Sequence, residues 1–356
     1  MRVVPGIVVA PPSLSGIARR VETRIARLLD GELERWSSAD PDLAEPLAAL
    51  RDLVLAGGKR LRPAFCHWAF VGAGGSPDDS AVVDAGAALE LLHTFALVHD
   101  DIMDGSATRR GTDTIHVQFE AGHAMEGWRG EARRFGEGVA ILVGDLAFVY
   151  ADRLLAGAPP TAHRVFTELR IEVNVGQYLD LLGTARGRVN EETARRISRF
   201  KSGKYTVERP LHLGAALAGR LDDLAAPLSR YGLPLGEAFQ LRDDLLGVFG
   251  DDEVTGKPVG EDLREGKPTL LYAMAMERAS AADAAVLARY GAPDLDEHDL
   301  VALQDVLLAS GAVESVEGAI DRLVAEAIEA IDAAGLEDES RRALVELAHF
   351  VAGRDR

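Results

Sequence analysis

Cysteine is almost missing from this chain. A single one, Cys66, stands among 356 residues, which excludes a disulfide framework and a cysteine-built zinc cluster. Aromatic residues make up only 6%, too few for a cavity that would stabilise cations with ring faces. Basic residues are outnumbered: 39 Lys and Arg face 57 Asp and Glu, a net charge of −18. Nucleic-acid binding needs a basic face, so no such partner is expected. No long uncharged apolar run exists, and no transmembrane segment is expected. Fixed-period repeats and low-complexity linkers are also lacking. The stretch 1–13 carries one arginine and is broken by Pro5, Pro11 and Pro12. It reads as a loose tail rather than a signal peptide, and the final GRDR offers no prenylation box. The expectation is a soluble cytoplasmic protein.

What is present is an ordinary globular balance, 47% hydrophobic and 27% charged, with enough chain to bury a large core. Ala, Leu, Glu and Arg dominate. Apolar residues recur at three and four rather than at two, which is the helical period. In 81–103, Ala85, Leu89, Leu92 and Ala96 form one stripe, with Ala88, Leu91, Phe95 and Val98 beside it. A stripe this wide belongs to a helix largely buried among other helices. Further helices are expected at 14–36, 63–72, 138–155, 161–182, 191–200, 211–218, 224–249, 267–277 and 313–334. Turn residues break the chain at 72–79, 157–160, 250–258 and 291–293. The fold class read from this pattern is all-α, with one helical domain over 14–356.

Two acidic clusters stand out. The first, HDDIMD, places Asp100 and Asp104 four apart on one helix face, with Asp101 between them. Paired carboxylates at a helix C-terminus repel each other and the helix dipole, which a cation would offset; one such pair alone reads as a solvated acidic helix end. Magnesium suits the pair, since it takes one or two carboxylates together with substrate phosphates. A calcium loop fails, because Ile102 and Gly111 stand where ligands are required. The second cluster, QLRDDLLGVFGDD, brings Gln240, Arg242, Asp243, Asp244, Asp251 and Asp252 after another apolar helical run. Two helices that each end an apolar stretch in adjacent aspartates suggest acidic ends facing one another across a cavity, with metals bridging them to a phosphorylated ligand.

Basic residues flank both clusters despite the acidic balance. Lys59, Arg60 and Arg62 sit in the glycine-led turn GGKRLRP; Arg109 and Arg110 follow the first cluster; Lys201 and Lys204 lie in FKSGKYT; Lys257 and Lys267 follow the second cluster. Each alone reads as a surface charge, and only the set is informative. Gly256-Lys257 is not a nucleotide phosphate loop, because Pro258 stands where Ser or Thr is needed.

In this order, GGKRLRP, HDDIMD, RRG, QLRDD, GKP and GKPT resemble the trans-isoprenyl diphosphate synthases (polyprenyl synthetases), from about Gly57 to about Leu271. The resemblance implies a single large bundle of helices around a central cavity, usually a homodimer, that joins isopentenyl diphosphate to allylic diphosphates. It implies three magnesium ions, with Asp100 and Asp104 as ligands of two and Asp243 as ligand of the third. Asp101 and Asp244 would orient water or neighbours. Arg109, Lys201 and Lys267 would grip the allylic diphosphate, with Gln240 and Lys257 beside it. Lys59, Arg62, His93 and Arg110 match the pocket for isopentenyl diphosphate, Gln177 and Asp180 match cavity-wall positions, and Ser202 and Tyr205 could add polar contacts. For His93, the residues alone favour a buried helix histidine.

Two features depart from the family pattern. Gly247 stands where the commoner second motif has a third aspartate, and 120–137 is longer and more charged than the spacing between motifs requires. For product length, the resemblance points to Phe95 as the floor below the first motif, with Ala96 small beside it. One bulky residue there looks most like a C20, geranylgeranyl, producer. Two aromatics would suggest a C15 farnesyl product, and small residues at both positions a longer chain. Two further readings compete: a terpene cyclase, disfavoured by the missing Asn-Asp motif, and a non-catalytic regulatory subunit, disfavoured by two largely intact acidic motifs.

Overall fold

The computed structural model describes residues 10–186, 190–250, 260–267 and 269–353. The all-α reading holds: among these residues the only strands are Thr108–Arg109 and Thr112–Asp113, paired antiparallel across a short turn. The chain forms two compact units. One comprises Pro12–His67 and Ser76–Pro159, the other Trp68–Gly75 and, from Pro160, the rest of the described chain.

The first unit contains α1 (Pro12–Ala39), α2 (Ala44–Leu55), the start of α3 (Leu61–Gly72), α4 (Ser80–Asp104), α5 (Ile115–Met125) and α6 (Ala132–Leu154). Its centre is α4. Asp79 caps the N-terminus by accepting from the Ala81 amide, and Gly105 ends the helix in the left-handed conformation (φ 68°). Ala85, Ala88, Leu89, Leu91, Leu92 and Val98 are buried, as the wide stripe requires. By length and composition α4 is apolar enough to cross a bilayer, but most of that stretch is buried in protein, as expected of a core helix. Close packing of α5 on α6 depends on Gly136: a Cβ there would overlap the His116 carbonyl and lie 3.1 Å from Cβ of Glu120.

The second unit holds α7 (Pro160–Arg186), α8 (Glu191–Ser198), a π-helical segment (Arg199–Glu208), α9 (Arg209–Leu217) and α10 (Leu221–Phe249). It continues with α11 (Glu261–Glu265), α12 (Leu270–Arg278), α13 (Ala281–Leu287), α14 (Glu297–Ala309), α15 (Ala312–Asp332) and α16 (Asp338–Gly353). Polar anchors fix α10 in this bundle. Tyr231, fully buried, donates to the Leu344 carbonyl at 2.7 Å. Arg242 grips Glu317 through two bonds of 2.7 Å and donates to the Ala352 carbonyl at 3.1 Å.

The sequence-based helices match the structure with three kinds of difference. Helix 191–200 is expected to run on, but the backbone widens into the π-helical segment after Ser198. Residues 267–277 are expected as one helix, but it starts at Leu270, where Thr269 caps by accepting from the Tyr272 amide. The helices α2, α5, α11, α13, α14 and α16 are not anticipated; most are short, and periodicity over a few turns is weak. The tail expected at 1–13 meets α1 already at Pro12, a residue type well suited to a first helical turn.

Arg60 anchors a buried ion-pair network in the first unit. It adopts φ 49°, and this turns its buried guanidinium onto Glu90 (2.6 Å), Glu22 (3.0 Å) and the Val54 carbonyl (2.6 Å). Arg60 and Glu90 side chains are only 1% and 3% exposed. Arg60→Ala strands a buried carboxylate, and chemical denaturation should show a loss of about 3–5 kcal/mol. A loss under 1 kcal/mol would show that the pair is not a stabilising element.

Candidate active site

In the first unit the end of α4 presents the first acidic motif. Asp100 and Asp104, one helical turn apart, are both half-buried. Asp101 between them is only 2% exposed and accepts from Arg109 Nε at 2.9 Å, with a second bond from the same guanidinium. Its own helix end is closed by the Ser106 amide on the Asp101 carbonyl at 2.9 Å. Asp101 therefore holds Arg109 through one oxygen, Oδ1.

The glycine-led turn before α3 brings further cations into the same unit. Gly57 and Gly58 adopt φ 105° and 144°, which side chains disfavour. A Cβ on Gly58 would lie 3.1 Å from Nη2 of Arg110, so the absent side chain lets that guanidinium lie against the turn. Arg110 itself takes φ 54° and donates to the Leu53 carbonyl at 3.2 Å. Burial lowers the Arg110 pKa, helped by the charges of Arg60, Arg109 and Arg62 and opposed by Glu90. His93, half-buried on α4, is held well below its ordinary value by burial and by Arg62, Arg110, Arg109 and Arg60. His93 thus feels the charge of four arginines, of which Arg60 and Arg109 are already paired with acids. Lys59 is exposed and Arg62 half-buried at this turn.

The second unit presents the second motif. Its cations are likewise fixed by carboxylates. Lys201 donates to Asp180 at 2.6 Å. This contact needs Gly176, where a Cβ would lie 2.6 Å from the Lys201 Cα. Lys204 pairs with Glu172, which Arg209 also grips at 2.6 and 2.7 Å. The π-helical turn thus delivers both lysines to acids on α7. Lys267 sits between Asp262 (2.9 Å) and Glu265 (2.8 Å); burial alone would lower its pKa, but the two carboxylates hold it well above the usual value.

Asp243 is half-buried near the end of α10. Asp244, 7% exposed, accepts from the Gln240 amide at 2.6 Å. Burial pushes the Asp244 carboxyl up to about 8, with Asp262 and Asp243 adding to the rise against Gln240 and Lys267. Lys257 and the side chain of Ser202 lie outside the described residues, as do Asp251 and Asp252. Gln177 is half-buried on α7, and Tyr205 is buried at 3% exposure.

Phe95 is half-buried below the first motif. Its ring meets His99 edge-on at 4.6 Å between centroids and Phe148 of α6 at 5.0 Å. Phe148 escapes a reading from sequence because it lies on another helix, with nothing in its neighbourhood to mark it. Arg242 and Arg60 also sit inside motif strings, and the structure makes both of them anchors.

A family model described as polyprenyl synthetase matches residues 45–306. The chain belongs to the polyprenyl synthetase family. A geranylfarnesyl diphosphate synthase from Aeropyrum pernix is 33% identical over 299 residues, covering 82% of this chain and 87% of that protein. A nonaprenyl diphosphate synthase from Mycobacterium tuberculosis is 31% identical over 99% of this chain and 98% of its own length. Among solved structures, a geranylgeranyl pyrophosphate synthase from Corynebacterium glutamicum, complexed with isoprenyl diphosphate and magnesium, superposes with a TM-score of 0.91 at 38% identity. That match covers 96% of this chain and 99% of the other. This polyprenyl synthetase is accordingly a trans-prenyltransferase with the family's all-α fold.

The donor chemistry fits magnesium. Asp100, Asp104 and Asp243 offer hard carboxylate oxygens at helix ends, and no group of three or more His, Cys, Asp or Glu gathers as a metal cluster among the described residues. A magnesium ion held by one or two carboxylates and completed by phosphate oxygens needs no such cluster.

The His93 shift has a measurable consequence. Its pKa is depressed from 6.5 in the folded chain, so the unfolded chain binds a proton there first as pH falls. Stability from this group is fully present above about pH 6.5 and is lost as pH falls from there toward the folded value. Thermal melts of His93→Gln should therefore flatten the acid limb relative to the parent, and superimposable pH profiles would contradict the depressed pKa.

Proposed function

We propose that this synthase condenses isopentenyl diphosphate with allylic diphosphates and releases an all-trans C20 product, geranylgeranyl diphosphate. The observation that carries the reading is the pairing at both acidic helix ends: each carboxylate motif stands with cations already fixed by neighbouring acids.

Asp100 and Asp104 would hold two magnesium ions and Asp243 a third, and when bound these neutralise the departing diphosphate. Arg109 on Asp101, Lys201 on Asp180 and Lys267 on Asp262 and Glu265 would grip the allylic diphosphate with charges that their carboxylates already hold in place. Gln240 and Lys257 stand beside it. Lys59, Arg62 and Arg110 bind the isopentenyl diphosphate without metal, and neutral His93 adds a hydrogen-bonding group without another charge. The allylic C–O bond breaks and its electron pair leaves with the diphosphate. The isopentenyl double bond attacks the resulting allylic cation, and the new cation loses its proton to the released diphosphate. Apolar walls keep water from the cation. The growing chain runs down the α4 face until it meets Phe95, which Phe148 braces, while Ala96 leaves room beside it.

The protein is also proposed to act in the cytoplasm as a homodimer. Ile141, Leu142 and Val149 on α6 are exposed by 45%, 64% and 57%, and Ile171, Val175 and Tyr178 on α7 by 51%, 45% and 63%. Apolar stripes of this size favour a second copy over water. Light scattering should give a dimer for the parent and a monomer for Leu142→Glu with Tyr178→Glu; a monomeric parent removes the dimer reading.

The deciding experiment incubates the protein with magnesium, labelled isopentenyl diphosphate and the C5, C10 or C15 allylic diphosphate, then sizes the dephosphorylated alcohols. A C20 alcohol that disappears with EDTA is expected. No elongation with any primer overturns the synthase reading. In the same assay Phe95→Ala should lengthen the product, and an unchanged product places the floor elsewhere.

A further inference from the structure

Lys201 stands in the π-helical segment Arg199–Glu208, so the winding of that segment sets where its ammonium goes. A π-helix closes its backbone bonds at i+5, and the Arg209 amide makes such a bond to the Lys204 carbonyl. The side chains of the same two residues meet on one carboxylate. Glu172 of α7 accepts from Lys204, from Arg209 Nε at 2.6 Å and from Arg209 Nη2 at 2.7 Å. In an α-helix, residues five apart point about 140° away from each other, which would turn one of the two away from α7. The wider turn brings them back to nearly one face. The Glu172 side chain is 12% exposed. Burial would raise its pKa, but Arg209 and Lys204 hold it below the ordinary value.

Backbone packing repeats the five-residue step. A Cβ on Gly236 of α10 would lie 2.6 Å from the Gly203 Cα, and one on Gly232 would lie 2.9 Å from the Glu208 Cα. Gly232 and Gly236 are one α-helical turn apart, whereas Gly203 and Glu208 are one π-helical turn apart. On the other side, Glu172, Gly176 and Asp180 follow at four-residue steps along one face of α7. Glu172 holds Lys204 and Arg209, Gly176 admits the Lys201 backbone, and Asp180 accepts from the Lys201 ammonium at 2.6 Å. The glycines make room for the wide turn; the Glu172 carboxylate is the group that bonds across it.

We propose that Glu172 is a positioning residue for Lys201: by holding Lys204 and Arg209 together it fixes the π-helical winding and so the place of the Lys201 ammonium. Relaxing that winding to an ordinary helix would turn the preceding residues by about one position, roughly 100°, and take Lys201 off Asp180. Glu172 acts through Lys201 and not on the substrate. The inference rests on the synthase reading above.

The test compares steady-state kinetics of the parent, Glu172→Gln, Arg209→Gln, Lys201→Ala and the double variant Lys201→Ala with Glu172→Gln, using magnesium, isopentenyl diphosphate and the C15 allylic diphosphate. Thermal melts report on folding. Glu172→Gln keeps the side chain's size and should lower kcat/KM for the allylic substrate about 100-fold, the loss expected when a positioned group shifts by about 1 Å. KM for isopentenyl diphosphate should stay at the parent value. Arg209→Gln removes the i+5 partner while Lys204 still neutralises Glu172, so it should act in the same direction with a smaller drop in melting temperature. With Lys201 already replaced by alanine, Glu172→Gln should cost no more than about twofold further, because the group it positions is gone. Parent-like allylic kinetics in a folded Glu172→Gln variant overturns the inference. So does a double variant whose loss is the product of the two single losses. If Glu172→Gln does not fold, Arg209→Gln, alone and with Lys201→Ala, decides by the same two criteria. A parent that elongates its substrate keeps the synthase reading standing when these criteria fail; a parent that does not removes both together.

Discussion

A guanidinium or ammonium taken out of water without a partner costs several kcal/mol, and this constraint shapes every part of the candidate site. The chain carries a net charge of −18, yet its proposed function demands fixed positive charge. The solution is a set of buried or half-buried carboxylates that each hold one cation: Asp101 for Arg109, Asp180 for Lys201, Asp262 and Glu265 for Lys267. The acids lower the cost of burial and also fix direction. A cation oriented before substrate arrives stabilises a leaving diphosphate without paying reorganisation at the moment of reaction.

The same pairing separates half-buried acids from acids buried against protein. In the first motif Asp100 and Asp104 share a face while Asp101, one position on, turns inward to Arg109. In the second, Asp243 stands half-buried and Asp244 turns in to Gln240. Helix geometry makes this division automatic, because neighbours in sequence point about 100° apart. Adjacent aspartates at a helix end therefore point in different directions, and one of each pair is buried against a protein partner.

Glycine sets how closely these elements approach. Gly176 admits the Lys201 backbone, Gly58 admits the Arg110 guanidinium, and Gly247 admits the Asp262 carboxylate. None of these is visible as a necessity in the sequence. Each is a steric relation between residues far apart along the chain. The π-helical widening at Arg199–Glu208 is of the same kind: local propensity reads an ordinary helix there, and packing against α7 and α10 decides otherwise.

The sequence by itself determined the all-α class, the long buried α4 and the two acidic motifs with their basic flanks, because a 3.6-residue period and i, i+4 spacing are local quantities. It also marked Asp100, Asp104, Asp243 and the conspicuous Gly247. Only the tertiary structure decided which partner each charge takes. Arg60 and Arg242 became anchors, Phe148 joined Phe95, and Asp262 came to fill the place beside Gly247. Those outcomes depend on which side chains meet across separate helices, and burial makes each meeting energetically binding.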